Sequence, residues 1–164
     1  MNFWEQQPRK LVLFAALFVA LLSAMLSGCA TTSGGTAAEK DQIAAVTRAW
    51  ADGMSRHDVD AVVALYDSQA ILWGTRSAKL RDTPASVREY FEILKKVPPS
   101  YKATLGEQHI RVFGDVAIDT GSYTFSEVRD GKEILRPARF SMVFLNRDGR
   151  WLIIDHHSSA VPAP

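Results

Sequence analysis

The sequence predicts an α+β domain: three amphipathic helices followed by an antiparallel β-meander. Two observations carry this. Apolar residues recur at helical spacing up to residue 97. From residue 101 onward, stretches rich in β-branched and aromatic residues are punctuated by Gly114-Asp115, Asp130-Gly131 and Asp148-Gly149. Glycine next to aspartate between such stretches is a strong hairpin signal. The bulk numbers agree with one domain: 164 residues, 47% hydrophobic, 19 Lys+Arg against 18 Asp+Glu. A net charge of +1 gives no basic stripe for nucleic acid, and one cysteine allows no internal disulfide.

The first helix is expected over about 39–55, with Ile43, Val46, Trp50 and Met54 along one stripe. Asp58 is a plausible N-cap for a short second helix carrying Val62, Val63, Leu65 and Tyr66. Ala70 to Trp73 reads as a short strand. Thr83-Pro84 reads as the N-cap and first position of a third helix bearing Val87, Tyr90, Phe91, Leu94 and Val97. Pro98-Pro99 ends it. Four long strands follow at about 101–113, 116–128, 133–146 and 150–159. If Arg147-Asp148-Gly149 is a three-residue loop, Asn146 pairs with Arg150. One face then carries Phe140, Met142, Phe144, Leu152, Ile154 and His156. The other carries Arg139, Ser141, Val143, Leu145, Trp151, Ile153, Asp155 and His157. A two-residue loop shifts this pairing by one. Neither face is purely polar, so a second copy of the chain is expected against the sheet face that the helices leave open, giving a homodimer.

Ahead of the domain lies an address. Arg9 and Lys10 precede Leu11–Leu26, sixteen uncharged residues, a run short for a membrane span and suited to a secretory signal. Leu26-Ser27-Gly28-Cys29 follows and resembles the lipobox of bacterial lipoproteins. The resemblance implies a signal peptide over 1–28, acylation of Cys29, and, with Ala30 next, an outer-membrane anchor facing the periplasm. Two or three acyl chains hold a protein durably at a bilayer, where one holds only marginally. Loss of residues 1–28 leaves 17 basic and 17 acidic groups. Residues 29–38 read as a flexible tether, and its nine residues after the cysteine span at most about 30 Å.

Two stretches carry a second resemblance. Trp50 to Ala70 (WADGMSRHDVDAVVALYDSQA) is similar to the opening of nuclear transport factor 2-like proteins, especially the SnoaL-like and SgcJ/EcaC groups. Pro137 to Pro162 (PARFSMVFLNRDGRWLIIDHHSSAVP) resembles the ending of SgcJ/EcaC-type proteins and of the calcium/calmodulin-dependent kinase II association domain. The likeness covers residues 39–162. It implies a cone-shaped, cystatin-like fold: three N-terminal helices packed in a curved, four- to five-stranded antiparallel sheet, with a pocket in the concavity. Ser158 stands where the kinase association domain has a basic residue after its histidine, and a second basic residue near Met142 is also missing. Both residues line that domain's acidic-ligand pocket, so the resemblance alone does not imply a carboxylate-binding pocket of that type.

Candidate chemistry is sparse. Asp155 and His157 share a strand face, with Arg139 across or diagonal from them. They suit either a general base with an oxyanion partner or an ion network fixing the sheet or dimer contact. Tyr66, Trp73, Tyr90 and Tyr123 are candidate pocket residues with polar edges inward, or ordinary core. His156 is a candidate pocket polar group or a satisfied core histidine. Ser158 donates at the strand end or caps the chain exit. No H-x-H, H-x-x-x-H, C-x-x-C or nucleotide-binding glycine motif occurs, so neither metal nor cofactor is implied. Three functions stay open. The favoured one is a membrane-tethered module binding a small, largely apolar ligand. The others are an isomerase, dehydratase or cyclase, and an oligomerising association domain.

Overall fold

A computed structural model describes residues 35–162. The expected signal peptide, Cys29 and most of the expected tether lie outside the described residues. Within them, helix α1 spans Ala37–Ser55, α2 spans Val59–Val63 and β1 spans Tyr66–Trp73. Helix α3 (Pro84–Phe91) continues as a 3₁₀ turn over Glu92–Lys96. Four strands complete the chain: β2 Lys102–Phe113, β3 Val116–Arg129, β4 Lys132–Arg147 and β5 Arg150–Ala160. The sheet order is β1-β5-β4-β3-β2.

The local chemistry explains the starts of the elements. Thr36 caps α1 in a reciprocal box with Glu39, so the helix begins at Ala37, inside the expected tether. Asp58 caps α2 by accepting from the Ala61 N–H at 2.9 Å. Thr83 and Ser86 cap α3, with Pro84 at its first position. Helix α2 stops at Val63, so Leu65 and Tyr66 leave it, and Tyr66 opens β1 opposite Ile153. Strand β1 starts before Ala70 but pairs irregularly, its register shifting between Tyr66 and Ile71. It also runs parallel to β5, so the sheet is four antiparallel strands with one parallel edge strand.

The β4–β5 turn corrects the expected register. Arg147 pairs with Arg150, leaving the two-residue loop Asp148-Gly149. Both loop residues have positive φ, 53° and 86°, as a type I′ turn requires. Leu152 and Ile154 therefore leave the inner face, and Trp151 and Ile153 enter it, buried opposite the helices. A second device follows. Val143 pairs with Asp155 but Phe144 pairs with Ile153, so Ile154 is an extra residue in a bulge. The bulge reverses the alternation. His156 and Ser158 point inward, beside Met142 and Phe140, and Asp155 and His157 point outward.

The core lies between α1 and the inner sheet face. Trp50 stacks on Tyr123 at 5.2 Å, and Tyr123 stacks on Phe140 at 5.0 Å. Ile43, Leu72, Met142 and Ile153 are fully enclosed around this stack. Truncating an aromatic such as Trp50 to alanine costs about 3–5 kcal/mol. No helix of the described residues is long and apolar enough to cross a membrane.

Candidate functional site

A cavity of about 800 Å³ opens at one end of the sheet, between α3, the loop after β1 and the far end of the β3–β4 hairpin. Its walls are apolar and aromatic: Met54, Phe91, Ile93, Val97, Tyr101, Phe125, Pro137, Ala138 and Val161. Tyr90 lies among them. Its ring is seated against Gly74, where a Cβ would fall 2.1 Å from the ring carbon Cζ. Any side chain at 74 would therefore evict Tyr90. Burial raises the Tyr90 hydroxyl above its usual range, opposed by hydrogen bonding from the backbone at Arg76.

The rim is basic. Arg76, Arg81, Arg129 and Arg136 line the cavity against one acid, Glu89. Arg81 is neutralised by Glu89 at 2.8 Å. Arg129 and Arg136 both reach the same oxygen of the buried Glu127, at 2.9 and 2.8 Å. The Arg136 hydrogen bond, with the two guanidinium charges, holds the Glu127 carboxyl below its usual range. One carboxylate thus faces two guanidiniums. Arg76 is exposed and has no ion pair among the described residues. The cavity mouth therefore carries cationic surplus above an apolar floor, an arrangement suited to an anion with a greasy body.

Behind the floor runs a buried polar chain. Trp50 Nε1–H donates to Tyr66 Oη at 3.1 Å, and Tyr66 Oη meets His156 Nδ1 at 2.7 Å. His156 Nε2 faces Tyr123 Oη at 3.4 Å, and Tyr123 donates to Ser158 Oγ at 2.5 Å. Ser158 in turn contacts Thr75 Oγ1, and Thr75 lines the cavity. Burial pushes His156 down to about 3, so the imidazole is neutral, and burial raises the Tyr66 and Tyr123 hydroxyls well above their usual range.

The expected site residues separate into three groups. Tyr90 lines the cavity. Tyr66, Tyr123, His156 and Ser158 sit in the buried chain behind it. Trp73 lies outside on the outer sheet face, 43% exposed and opposite His157. Arg139, Asp155 and His157 also lie on the outer face: the Ile154 bulge turns Asp155 and His157 outward, and Arg139 falls between the inward residues Ala138 and Phe140 of β4. Arg139 bonds Ser159 Oγ at 3.1 Å. Partial burial raises the Asp155 carboxyl, and His157 offsets this in part. Among the described residues no three His, Cys, Asp or Glu side chains converge as metal ligands.

Sequence reading missed the four arginines at the rim. They come from a loop, an isolated bridge and both arms of one hairpin. Arg81 is placed by its backbone pairing with Leu72, at 2.8 and 3.0 Å. Arg136 is placed by the β3–β4 register opposite Phe125. The available signal was Arg129 and Arg136 bracketing the Asp130-Gly131 turn, with Arg136 in phase with the inward residues Ala138 and Phe140.

These features define a cystatin-like, nuclear transport factor 2-like fold whose cavity has an apolar floor and a basic rim. The family model for the calcium/calmodulin dependent protein kinase II association domain matches residues 39–162, and the chain belongs to that family. A solved chain from Xanthomonas campestris, described as such an association domain, is 30% identical, with a TM-score of 0.68 over 81% of this chain and 97% of that one. The S. rosetta CaMKII hub is 20% identical, with a TM-score of 0.66 over 77% of this chain and 100% of that one. A dehydratase-like structure from Streptomyces avermitilis shares the fold at 16% identity, with a TM-score of 0.67 over 75% and 96%. No curated protein matches this sequence.

Proposed function

We propose that this protein is a tethered association-type domain that binds a small carboxylate-bearing molecule in its cavity. The observation that carries this reading is the unequal charge at the mouth: Arg129 and Arg136 share the single carboxylate of Glu127, and Arg76 is unpaired among the described residues. A ligand carboxylate beside Arg136 completes the neutralisation, and hydrogen bonds to charged groups contribute about 1.5–3 kcal/mol each. The aromatic floor, with Tyr90, Tyr101 and Phe125, then receives an apolar or aromatic body. A cavity of about 800 Å³ accommodates a molecule of ordinary metabolite size.

Two further elements belong to the reading. Acylation of Cys29 anchors the chain at the bacterial outer membrane, and the outer sheet face pairs with a second copy. Cys29→Ser is expected to move the protein from the membrane to the soluble fraction. Unchanged membrane association removes the anchor.

Native mass spectrometry of the purified protein tests the ligand. The expected result is a dimer carrying an acidic small molecule, replaced by phenylacetate on titration. Arg136→Gln weakens phenylacetate at least tenfold, since a charge-assisted bond is lost. Binding that is indifferent to Arg136→Gln and Arg76→Gln, or absent at millimolar phenylacetate, overturns the reading.

A further inference from the structure

The buried chain behind the cavity has a direction. Trp50 starts it, and an indole nitrogen can only donate. Tyr66 Oη accepts from Trp50 Nε1–H, so its own hydrogen goes to its other partner, His156 Nδ1. Nδ1 is then an acceptor, and the proton of a neutral imidazole sits on Nε2, facing Tyr123. Tyr123 gives its hydrogen to Ser158 Oγ. Ser158 is buried, and Thr75 Oγ1 is the remaining side-chain partner for its hydroxyl hydrogen among the described residues. Each bond hands the donor role to the next group. The sequence of donors is Trp50, Tyr66, His156, Tyr123, Ser158, and the last acceptor is Thr75.

Thr75 accepts at its oxygen, so its own hydroxyl hydrogen is left over. Thr75 is also the one member of the chain that lines the cavity. We infer that Thr75 is a specificity-determining donor, with its hydroxyl hydrogen committed to the cavity by a chain whose polarity Trp50 fixes from the far side of the core. The inference rests on the anion-binding reading and deepens it. Arg76, next in sequence, supplies charge, and Thr75 supplies a hydrogen that a carboxylate oxygen can receive and an ammonium group cannot. Trp50, His156 and Ser158 act as positioning residues. They do not line the cavity, yet they decide which way the Thr75 hydroxyl can turn.

Two measurements separate this inference from the reading beneath it. The first needs no ligand. Long-range ¹H–¹⁵N correlation on the free protein is expected to show His156 as the neutral Nε2–H tautomer at pH 7. An Nδ1–H tautomer reverses the chain, and an imidazolium, a donor at both nitrogens, cuts its link to Trp50; either overturns the inference, whatever the cavity binds. The second compares phenylacetate with 2-phenylethylamine on the wild type and on Thr75→Val, Thr75→Ser and Trp50→Phe. Thr75→Val is expected to weaken phenylacetate about tenfold, and Thr75→Ser to restore it. Trp50→Phe, far from the ligand, is expected to lower the preference for phenylacetate over the amine severalfold, with far-ultraviolet circular dichroism confirming the fold. Phenylacetate binding that depends on Arg136 but ignores Thr75→Val overturns the inference and spares the anion site. Absence of phenylacetate binding altogether overturns the site, and the His156 tautomer still decides the direction of the chain.

Discussion

Two buried ionisable groups pull the pH dependence of the domain in opposite directions. His156 is fully enclosed, and burial holds its folded pKa near 3 against an ordinary value of 6.5. Between those values the unfolded chain binds a proton that the folded chain refuses. Its contribution to stability is therefore present above pH 6.5 and is lost as pH falls toward 3. Asp119 is the reverse. Its Oδ2 takes hydrogen bonds from Thr47 at 2.8 Å and Gln108 at 2.6 Å, but Oδ1 is buried without a partner among the described residues. Burial raises its carboxyl, although those hydrogen bonds oppose the rise. The folded state holds the Asp119 proton above pH 3.8, so this contribution is lost as pH rises through the raised value. Asp119→Asn is expected to increase stability near neutral pH by about 1 kcal/mol, because the amide carries no charge to bury. His156→Asn is expected to flatten the fall in stability between pH 6.5 and 5. Denaturant titrations at a series of pH values check both. A variant at 119 with unchanged pH dependence would show that Asp119 is ionised and solvated.

At the scale of elements, a tight turn bears on stability alone, and one close approach shapes the cavity wall. Gly149 has φ 86°, and a Cβ there would meet nothing within 4 Å, so Gly149→Ala isolates backbone strain. About 1–2 kcal/mol is expected, a fall in Tm of about 4 °C or more, with ligand binding unaffected. Gly74 differs. Its backbone is ordinary, but a Cβ would collide with the Tyr90 ring. Gly74→Ala is expected to displace Tyr90 and weaken phenylacetate severalfold, a loss that Gly149→Ala does not produce. Equal binding by the two variants would remove Tyr90 from the site. These elements also mark what a sequence exposes. Asp58, Thr83-Pro84 and the three glycine turns act through neighbours two to four residues away, so caps and hairpins were legible. Strand β1 was legible only in part, because Asp67, Ser68 and Gln69 break its alternation. The Ile154 bulge was hidden. A single extra residue reverses inward and outward, and nothing in Leu152-Ile153-Ile154-Asp155 announces it. Arg76, Arg81, Arg129 and Arg136 were hidden for a related reason: only long-range register brings a loop, a bridge and a hairpin to one mouth.

At the scale of the whole molecule, the outer sheet face remains to be covered. Helices occupy one side, where α1 packs on β2, β3 and β5. The opposite side carries Ile118 opposite Val143, and Val116 opposite Leu145. Phe113 and Trp73 extend this apolar surface at 54% and 43% exposure. Asp155 and His157 lie in it beside Val143 and Ser141. A stable protein–protein interface buries about 1,200–2,000 Å² in total, and a two-fold pairing of this face places each apolar row against its own copy. The partly desolvated Asp155 carboxyl, on the same strand face as His157, then supplies a polar group inside an otherwise apolar seam. Sedimentation velocity on the wild type is expected to give a dimer at micromolar concentration. Ile118→Glu with Val143→Glu places like charges at the centre of the seam and is expected to give a folded monomer, since both side chains point away from the core. The cavity lies on the other side of the sheet, so the monomer should keep phenylacetate within a few-fold of the dimer. A wild type that sediments only as a monomer removes the dimer, and a double variant that stays dimeric shows that the copies meet elsewhere.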